Sequence, residues 1–300
     1  MIRCPECRES FSIDEMPRCP GCGRDYTAGN DVLSFLAEDA SVGEEYRDQY
    51  FDVNDQREDR HFWFVGRNAV ARRLVQRYAR LGMRMIEIGC GTGNMLDLLS
   101  RSGWHVDGLD MSRHALRFAA KKTSARLFQA DITDLPFEHE YDAVGMFDVL
   151  EHIEDDAAAL DNVHRALRPG GLLFLTVPAG ASLFSDYDRL LCHRRRYDPG
   201  ALLGLVRAQG FEVLKATRFF FFLYPLFWLN RRLRKQDAGQ VADPQKALEK
   251  ELAVIPVLND VFKGVMFLES LLVARLNFPM GSSIALVARK KNGAEEKNHG

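Results

Sequence analysis

The chain has 300 residues, of which 46% are hydrophobic and 27% are charged. These proportions are those of a globular protein with room for one large core and a small accessory module. With 40 basic and 42 acidic side chains the net charge is -2, so the overall charge does not favour nucleic acid as a partner. No apolar stretch reaches the roughly 20 residues of a membrane span. The first residues also lack the apolar segment of a secretory signal, so we expect a cytoplasmic protein.

Four of the six cysteines form two CxxC pairs, Cys4 with Cys7 and Cys19 with Cys22. Two disulfides would be unusual in a reducing compartment, and four thiolates at this spacing favour one tetrahedral zinc site. Residues 1–37 contain too few apolar side chains for a core, so the metal would supply the folding energy. Because four ligands close the site, we expect a structural zinc. A redox or disulfide pair is the alternative.

A glycine-rich turn follows an apolar run in "RMIEIGCGTGNMLDLL", residues 84–99. Dinucleotide-binding folds use the spacing G-x-G-x-x-G, which places pyrophosphate on the next helix. Here the glycines are Gly89, Gly91 and Gly93, and Asn94 holds the position of the expected third glycine. S-adenosylmethionine (SAM) has no pyrophosphate and needs only a backbone that can approach closely, which glycines allow. The spacing therefore favours SAM over NAD.

Strands and helices alternate along the chain from residue 84 onward. The predicted strands cover residues 84–89, 104–109, 125–130, 141–147 and 171–177, and the predicted helices lie near 93–101, 112–121, 155–167 and 198–209. This alternation predicts a parallel sheet that is covered by helices on both faces. Ligands of such sheets bind at the carboxyl ends of the strands.

Acidic residues follow the second and third predicted strands. Asp110 ends the second strand, where an acid binds ribose hydroxyls in NAD and SAM proteins alike. Ser112 follows as a candidate helix N-cap. After the third strand, Asp131 lies where an adenine amino group is expected, and Ile132 is positioned to pack on the ring. We therefore predict a nucleoside site at this edge of the sheet.

Five segments occur in a fixed order: "EIGCGTGN", "LDMS", "DITDLPF", "FDVLEHI" and "LRPGGLLFLTVP". Together they resemble the successive motifs of class I SAM-dependent methyltransferases, over about residues 62–215. The resemblance implies an α/β fold with a Rossmann-like seven-stranded sheet, helices on both faces and an antiparallel last strand, which here would be "SSIALVARKK".

The resemblance also implies which residues hold SAM. The implied set is Arg67 for the SAM carboxylate, Glu87 behind the glycine loop, the backbones of Gly89, Cys90, Gly91 and Gly93 for the methionine part, Asp110 and Met111 for the ribose and one adenine face, Asp131 and Ile132 for the adenine, and Phe147 for the floor. Arg67 has an alternative as an ordinary surface arginine.

Two segments carry candidate catalytic groups. Asp148, Glu151 and His152 are spaced i, i+3 and i+4, which places them on one side of a helical turn. Ubiquinone-pathway O-methyltransferases have a similar Glu-x-x-Glu-His that can bind a divalent cation, although here the first residue is Asp. The alternative is a polar helix start in which His152 is hydrogen-bonded locally.

The second segment is "DYDRLLCHRRRYDPGAL", which follows the fifth strand. His193 is a candidate general base because an imidazole titrates near neutral pH. Arg194, Arg195 and Arg196 are candidates for binding phosphate or carboxylate. The segment resembles the His-x-x-[KR]-[FY]-x-P-x-x-L stretch of the same O-methyltransferases. The alternative is a solvated loop in which Tyr197 packs.

The N-terminal "CPECRESFSIDEMPRCPGCGRDY" resembles short zinc ribbons that accompany some methyltransferases, either fused or as separate partners. Guanine methyltransferases of large ribosomal RNA carry a comparable module, so RNA remains an alternative substrate. The net charge and the few lysines and aromatic residues in the ribbon speak against RNA. The absence of an Asn/Asp-Pro-Pro-[FY] tetrapeptide after the fourth strand also argues against methylation of nucleobase amino groups.

An apolar insertion precedes the last predicted strand. "FFFFLYPLFWL", residues 219–229, is followed by the basic "NRRLRK", and residues 257–276 form an amphipathic helix pattern. The two elements could pack on each other, form a homodimer, or contact a membrane surface or lipid acceptor through 219–235. Lipid contact would place the protein on the inner face of the membrane.

We predict a zinc ribbon at 1–37, a linker at 38–61, a methyltransferase domain at 62–290 with a helical insertion at about 219–280, and a disordered tail at 291–300. The charged residues 40–60 of the linker could also form a solvated helix. The expected activity is SAM-dependent methyl transfer to a small-molecule or lipid-linked acceptor at oxygen. The alternatives are an RNA methyltransferase that uses the ribbon to place its substrate and a SAM-binding scaffold without activity.

Overall fold

The computed structural model describes residues 2–12, 17–27, 32–36, 45–233, 252 and 254–292. The strands are β1 (Ile2–Arg3), β2 (Ser10–Phe11), β3 (Val32–Ser34), β4 (Arg84–Ile88), β5 (His105–Asp110), β6 (Leu127–Gln129), β7 (Tyr141–Phe147), β8 (Leu167–Pro178), β9 (Phe211–Phe219) and β10 (Ser283–Lys290). The helices are α1 (Glu45–Asp55), α2 (Phe62–Tyr78), α3 (Asn94–Arg101), α4 (Arg113–Lys122), α5 (Asp156–Ala166), α6 (Asp186–Leu190), α7 (Pro199–Ala208), α8 (Tyr224–Leu233) and α9 (Pro256–Val273). Most of the predicted tail, residues 293–300, lies outside the described residues.

The central sheet has eight strands in the order β3-β6-β5-β4-β7-β8-β10-β9. Strand β10 is antiparallel to both β8 and β9, whereas the other pairings are parallel. The predicted Rossmann-like sheet and its antiparallel last strand are therefore confirmed. The parallel arrangement brings the carboxyl ends of β4, β5 and β7 to one edge, where the glycine loop follows β4.

Helices cover both faces of the sheet. On β4, Met85 packs into the core shared with α2, α3, α4 and α9, whereas Ile86 and Ile88 face the core shared with α5 and α7. These three side chains are at most 1% exposed. The alternation follows from the two-residue period of a strand. Burial of both faces provides the main stabilisation of the fold.

The N-terminal ribbon is joined to the sheet. Strand β3 pairs in parallel with β6 and adds an eighth strand, which the sequence analysis does not predict. The rings of Tyr26 and Phe35 lie 4.7 Å apart, and Phe35 lies 6.2 Å from Phe128 of β6. The backbone amide of Arg3 donates to the carbonyl of Pro136 at 2.7 Å. The ribbon therefore packs into the same core as the sheet.

The insertion between β9 and β10 contains α8 and α9, with α9 packed on α2. At Gly66 of α2 an added Cβ would lie 2.8 Å from the side chain of Met266, so the two helices are in close contact. The predicted helix starts later than residue 219, because β9 continues to Phe219 and a turn follows. The carboxylate of Glu269 accepts the backbone amides of Phe221 and Phe222 at 3.0 and 3.2 Å and so fixes this turn.

None of the helices that the structure describes has the length and apolarity needed to cross a bilayer.

Candidate active site

A cavity of about 400 Å³ opens at the carboxyl ends of β4, β5 and β7. Most of the residues that the resemblance implies for SAM lie on its wall. They are Arg67, Glu87, Gly89, Cys90, Gly91, Asp110, Met111, Asp131, Ile132 and Phe147. The fold therefore brings together, at one place, residues from four of the five sequence motifs and Arg67 of α2.

Gly93 is the member of that set that does not line the cavity. It caps α3 in a left-handed conformation with φ 82°, and an added Cβ would lie 2.9 Å from Ala119 of α4. Its backbone packs α3 against α4, and the contact between Gly93 and SAM stays a prediction. Gly89, by contrast, lies on the wall with φ 72°, and an added Cβ would lie 2.4 Å from Val149.

Asp110 fixes the shape of the glycine loop from the neighbouring strand. One carboxylate oxygen accepts the backbone amide of Gly91 at 2.8 Å, and the other accepts the amide of Ser112 at 2.8 Å. Ser112 in turn caps α4 as predicted, since its hydroxyl accepts the amide of Ala115 at 3.2 Å. The acid at the end of β5 thus holds two loops of the cavity wall in one arrangement.

Glu87 places a carboxyl group inside the wall. Its side chain is 3% exposed, and within the described structure one carboxyl oxygen has no hydrogen-bond partner. Burial raises the pKa of Glu87 to about 8. An orphaned buried oxygen beside a glycine cradle fits a ligand that carries positive charge, as SAM does on its sulfonium and amino groups. The wall therefore fits SAM.

Arg67 and Asp148 pair on the cavity wall. The guanidinium of Arg67 lies 3.3 Å from one carboxylate oxygen of Asp148, and it also donates to the carbonyl of Phe147 at 3.2 Å. The hydroxyl of Thr176 donates to the other oxygen of Asp148 at 3.0 Å. Both oxygens of Asp148 thus have partners. Asp148 is also absent from the group of described side chains whose donor atoms are close enough to share an ion, so its predicted role as a cation ligand is corrected.

Helix α1 forms a wall of the cavity, in a charged segment for which a linker or a solvated helix is predicted. Tyr50, Phe51 and Asn54 of α1 and the following Glu58 line the cavity. Glu58 accepts the hydroxyl of Thr92 and pairs with Lys122 at 3.0 Å, which ties this segment to the glycine loop and to α4. Lys122 also pairs with Asp55 at 2.8 Å.

A weak sequence signal precedes this wall. Apolar or aromatic residues recur at Tyr46, Tyr50 and Val53, the i, i+4 and i+7 positions of a helix face. Charged residues dominate positions 40–60, so the apolar pattern is weak in the sequence.

Glu151, His152 and His193 form a titratable cluster, and of these three His152 lines the cavity. Glu151 lies behind it with 0% exposure, and within the described residues neither of its carboxyl oxygens has a hydrogen-bond partner. Burial, together with the charge of Asp148, raises the pKa of Glu151 well above its usual range. His193 Nε2 lies 3.9 Å from Glu151, and the rings of His152 and His193 are 4.8 Å apart.

Asp188 holds His193 from the other side. Its carboxylate, which has no exposed surface, lies 3.0 Å from His193 Nδ1 and accepts Arg196 Nε at 2.7 Å. Arg195 pairs with Asp156 at 2.8 Å. Of the three arginines proposed to bind an anion, Arg194 alone lines the cavity, and the expectation for the other two is corrected.

Two groups of described side chains could hold a metal ion. In one, donor atoms of Glu151, His152 and His193 lie within 4.8 Å of one another, so His193 takes the place predicted for Asp148. The other group is the ribbon cluster of Cys4, Cys7, Cys19 and Cys22, whose sulfur atoms also lie within 4.8 Å of one another.

The sulfur positions in the ribbon suit a tetrahedral ion. Cys4 and Cys22 are 3.6 Å apart, and Cys7 and Cys19 are 3.5 Å apart. Zinc–sulfur bonds of about 2.3 Å place the sulfurs of a tetrahedral site about 3.8 Å apart. The Tyr26 hydroxyl lies 2.9 Å from Cys4 Sγ, where it can support a thiolate ligand. The residues present therefore fit zinc.

Known proteins are similar to this chain in sequence and in fold. A relative from Mycolicibacterium smegmatis named "Probable S-adenosylmethionine-dependent methyltransferase" is 30% identical over 52% of this chain and 61% of its own length. A ubiquinone biosynthesis O-methyltransferase from Xylella fastidiosa is 33% identical over 32% of this chain and 42% of its own length. The chain thus spans only part of the length of the curated relatives it matches.

Two solved structures share the fold. A complex between the Haloferax volcanii Trm112 methyltransferase activator and a methyltransferase aligns over 84% of this chain and 100% of that chain, with 18% identity and a TM-score of 0.55. A SAM-dependent methyltransferase from Thermotoga maritima aligns over 83% of this chain and 100% of that chain, with 16% identity and a TM-score of 0.53.

The family model described as "Methyltransferase domain" matches residues 58–216, which is more than half of the chain. This range contains the glycine loop, the acids that follow the strands and the Glu151–His152 segment. The chain belongs to the methyltransferase-domain family, and its sheet has the arrangement predicted from the class I SAM-dependent motifs.

Proposed function

We propose that the chain transfers a methyl group from SAM to a hydroxyl of an apolar small-molecule or lipid-linked acceptor. The observation that carries this proposal is the position of His152 on the cavity wall, backed by Glu151 and His193. A hydroxyl must lose its proton as it attacks, so a titratable side chain at the cavity supports transfer to oxygen.

In the proposed reaction SAM supplies the methyl group, and the protein supplies the proton acceptor and the positioning. When bound, SAM supplies a methyl group on a positively charged sulfur. The oxygen–carbon bond forms as the carbon–sulfur bond breaks, which leaves S-adenosylhomocysteine and a methyl ether. We assign His152 as the residue that takes the hydroxyl proton on its imidazole. The fixed cavity wall provides positioning, which accounts for much of the rate in such displacements.

His193 and Glu151 act through His152 in this proposal. His193 is held at Nδ1 by Asp188, which directs its Nε2 toward Glu151 at 3.9 Å. Because Glu151 is buried without hydrogen-bond partners among the described residues, it favours a neutral form or a cationic neighbour. The alternative occupant of the cluster is a divalent cation held by Glu151, His152 and His193, which would lower the pKa of the acceptor hydroxyl instead.

The names of the relatives support oxygen as the acceptor atom. Several of them are named ubiquinone biosynthesis O-methyltransferase, including proteins from Xylella fastidiosa and Ralstonia nicotianae. These matches cover less than two thirds of each relative. They therefore support the class of reaction and leave the acceptor to experiment.

An exposed apolar face on the insertion supports an apolar acceptor. Of the 17 exposed large hydrophobic side chains in the described part of the chain, 15 lie within residues 222–280. On α9, Met266 and Val273 are buried against the core, while Val261, Leu268 and Leu272 face outward. Exposed apolar surface of this extent is typical of an interaction site.

We propose that this apolar face, on α8 and α9, rests on an anionic lipid surface. The sequence that ends α8 and follows it, "NRRLRK" at 230–235, is strongly basic, which complements anionic headgroups. Residues 234 and 235 lie outside the described structure. A face of this kind would let the enzyme take an acceptor from the bilayer. Association of two copies through the same face is the competing outcome.

We propose that the ribbon binds one structural zinc ion through Cys4, Cys7, Cys19 and Cys22. The sulfur spacing supports this, and the closed set of four ligands leaves no position for substrate. Elemental analysis of the purified protein should give about one zinc per chain. A metal-free protein with the same fold would contradict the assignment.

Comparison of wild-type and deletion cells tests the proposed function. Mass spectrometry of total lipids, quinones and ribosomal RNA should show one methyl group missing from the hydroxyl of an apolar compound in the deletion strain. Loss of a methyl group from ribosomal RNA instead would contradict the proposal and favour the RNA alternative.

A further inference from the structure

The ribbon reaches the cavity wall through one buried side chain, Gln129 at the end of β6. The hydroxyl of Ser34 in β3 donates to Gln129 Oε1 at 3.1 Å. Gln129 Nε2 then donates to the backbone carbonyl of Met111 at 3.1 Å. Met111 lines the cavity on the side that the motifs assign to adenosine. A single amide group, 8% exposed, therefore links the ribbon to the cofactor site.

A second connection runs through the backbone. The amide of Phe35 donates to the carbonyl of Gln129 at 2.8 Å, which continues the pairing of β3 with β6. The ring of Phe35 packs near Phe137, which follows the adenine-side turn. The residues that come directly after Gln129, Ala130 and Asp131, line the cavity. The ribbon thus supports both loops that face the adenosine part of SAM.

We propose that the ribbon is a working part of the cofactor site. In this proposal Ser34 and Gln129 are positioning residues that hold the backbone of Met111 for the adenosine part of SAM, and ribbon metal and SAM stabilise each other. The inference rests on the SAM-binding activity of the family and on the proposed zinc site. It does not depend on the identity of the acceptor.

The physical reason is that the ribbon has little core of its own. Its fold depends on the metal, so loss of the metal would release β3 and leave the buried amide of Gln129 without its partner. Coupling of this kind is reciprocal. If the metal raises the affinity for SAM by some factor, SAM must raise the affinity for the metal by the same factor.

Substitutions that leave the cysteines in place test the link. Ser34→Ala removes the donor from the ribbon, and Gln129→Met keeps the volume but removes both hydrogen bonds. Ser34→Ala should raise the dissociation constant for SAM about fivefold, the effect of one buried hydrogen bond, and Gln129→Met should raise it at least as much. Calorimetry well below the unfolding temperature measures both. The double variant should lose little more than Gln129→Met alone, since both changes break one chain of contacts.

Matched variants separate positioning from general stability. Ser10→Ala makes the same change at an exposed ribbon position and should leave SAM affinity unchanged. Ser34→Thr keeps the hydroxyl and should have the SAM affinity of the wild type. The kcat at saturating SAM should not change in Ser34→Ala, whereas KM for SAM should rise. Binding of 5′-methylthioadenosine should weaken by the same factor, because the effect lies on the adenosine side.

The second part of the experiment measures the effect of SAM on the affinity for zinc. Competition between the full-length protein and a chelator gives the apparent zinc affinity with and without saturating SAM. We expect SAM to raise that affinity several-fold in the wild type and by a smaller factor in Gln129→Met. Wild-type SAM affinity in both Ser34→Ala and Gln129→Met, or a zinc affinity that SAM does not change, would overturn the proposal. Neither result would bear on the acceptor.

Discussion

His193 Nδ1 lies 3.0 Å from a carboxylate oxygen of Asp188, a side chain with no exposed surface. A neutral imidazole that donates at Nδ1 keeps Nε2 free for the opposite side, which here faces Glu151. The same carboxylate accepts Arg196, whose side chain is 8% exposed. Asp188 therefore organises the layer that lies behind His152.

Replacement of Asp188 should destabilise the fold. Asp188→Asn removes the only charge that faces the nearly buried Arg196 in the described ion pairs, and an uncompensated buried charge costs about 3–5 kcal/mol. Urea denaturation measures the change in unfolding free energy. Asp186→Asn is the matched control on the same helix, since its pair with Arg189 is exposed and should contribute less than about 1 kcal/mol. Equal effects at both positions would contradict the description.

Replacement of His152 should slow methyl transfer. Without a proton acceptor at the cavity wall, kcat of His152→Gln should fall about 10²- to 10⁴-fold while SAM affinity stays unchanged. His105→Gln is the control, because His105 is exposed at the start of β5, at the opposite end of the strand from the cavity. A variant His152→Gln with wild-type kcat would remove His152 from the mechanism.

Treatment with a chelator distinguishes proton transfer to His152 from a mechanism that uses a divalent cation. Activity that persists after treatment with EDTA supports direct proton transfer to His152. Activity that is lost and then restored by Mg²⁺ would assign Glu151, His152 and His193 to a divalent cation instead. The ribbon zinc is monitored in the same samples by elemental analysis.

Glu87 should make the stability of the SAM-free protein depend on pH. Burial raises its pKa from 4.5 to about 8, so the fold favours the protonated form. The unfolded chain loses this proton near pH 4.5, and the contribution of Glu87 to stability is therefore lost as pH rises from there to about 8. Relative to wild type, Glu87→Gln should be more stable at about pH 8 than at about pH 5, by up to a few kcal/mol. Denaturation at both pH values measures this difference, and an equal difference at both would contradict the burial of an ionisable group.

The apolar face of the insertion should bind vesicles. Leu268→Glu and Leu272→Glu place charge on exposed positions of α9 and should abolish flotation with anionic liposomes without changing SAM affinity. Leu81→Glu is the control, because Leu81 is also exposed, at 66% against 60% for Leu268, but lies far from the insertion in sequence. Light scattering that shows a dimer, converted to monomer by the α9 changes and without vesicle binding, would favour a protein interface.

The sequence predicts the sheet and most of the SAM wall because local patterns determine both. Glycines and acids at the ends of strands mark positions that the parallel sheet must bring to one edge. Gly89 and Asp110 follow this rule directly. Gly93 belongs to the same motif, yet its left-handed backbone allows α3 to pack on α4. The spacing of the glycines cannot distinguish a packing role from a contact with the ligand.

Other parts of the site depend on long-range contacts. Strand β3 has only three residues, and its partner lies about 95 positions further along the chain. Asp188 sits on a five-residue helix without a motif, and its role appears only when His193 and Arg196 converge on it. The wall formed by Tyr50 and Phe51 comes from a charged segment. Tertiary packing decides each of these features.

Transfer of label from [methyl-³H]SAM tests the central claim most directly. The purified full-length protein is incubated with labelled SAM and a total lipid extract from deletion cells, with total RNA from the same cells in a parallel reaction. The account predicts label in the organic phase, on an alkali-stable methyl ether of one lipid or quinone-like compound. Label that appears in RNA and not in the organic phase would contradict it.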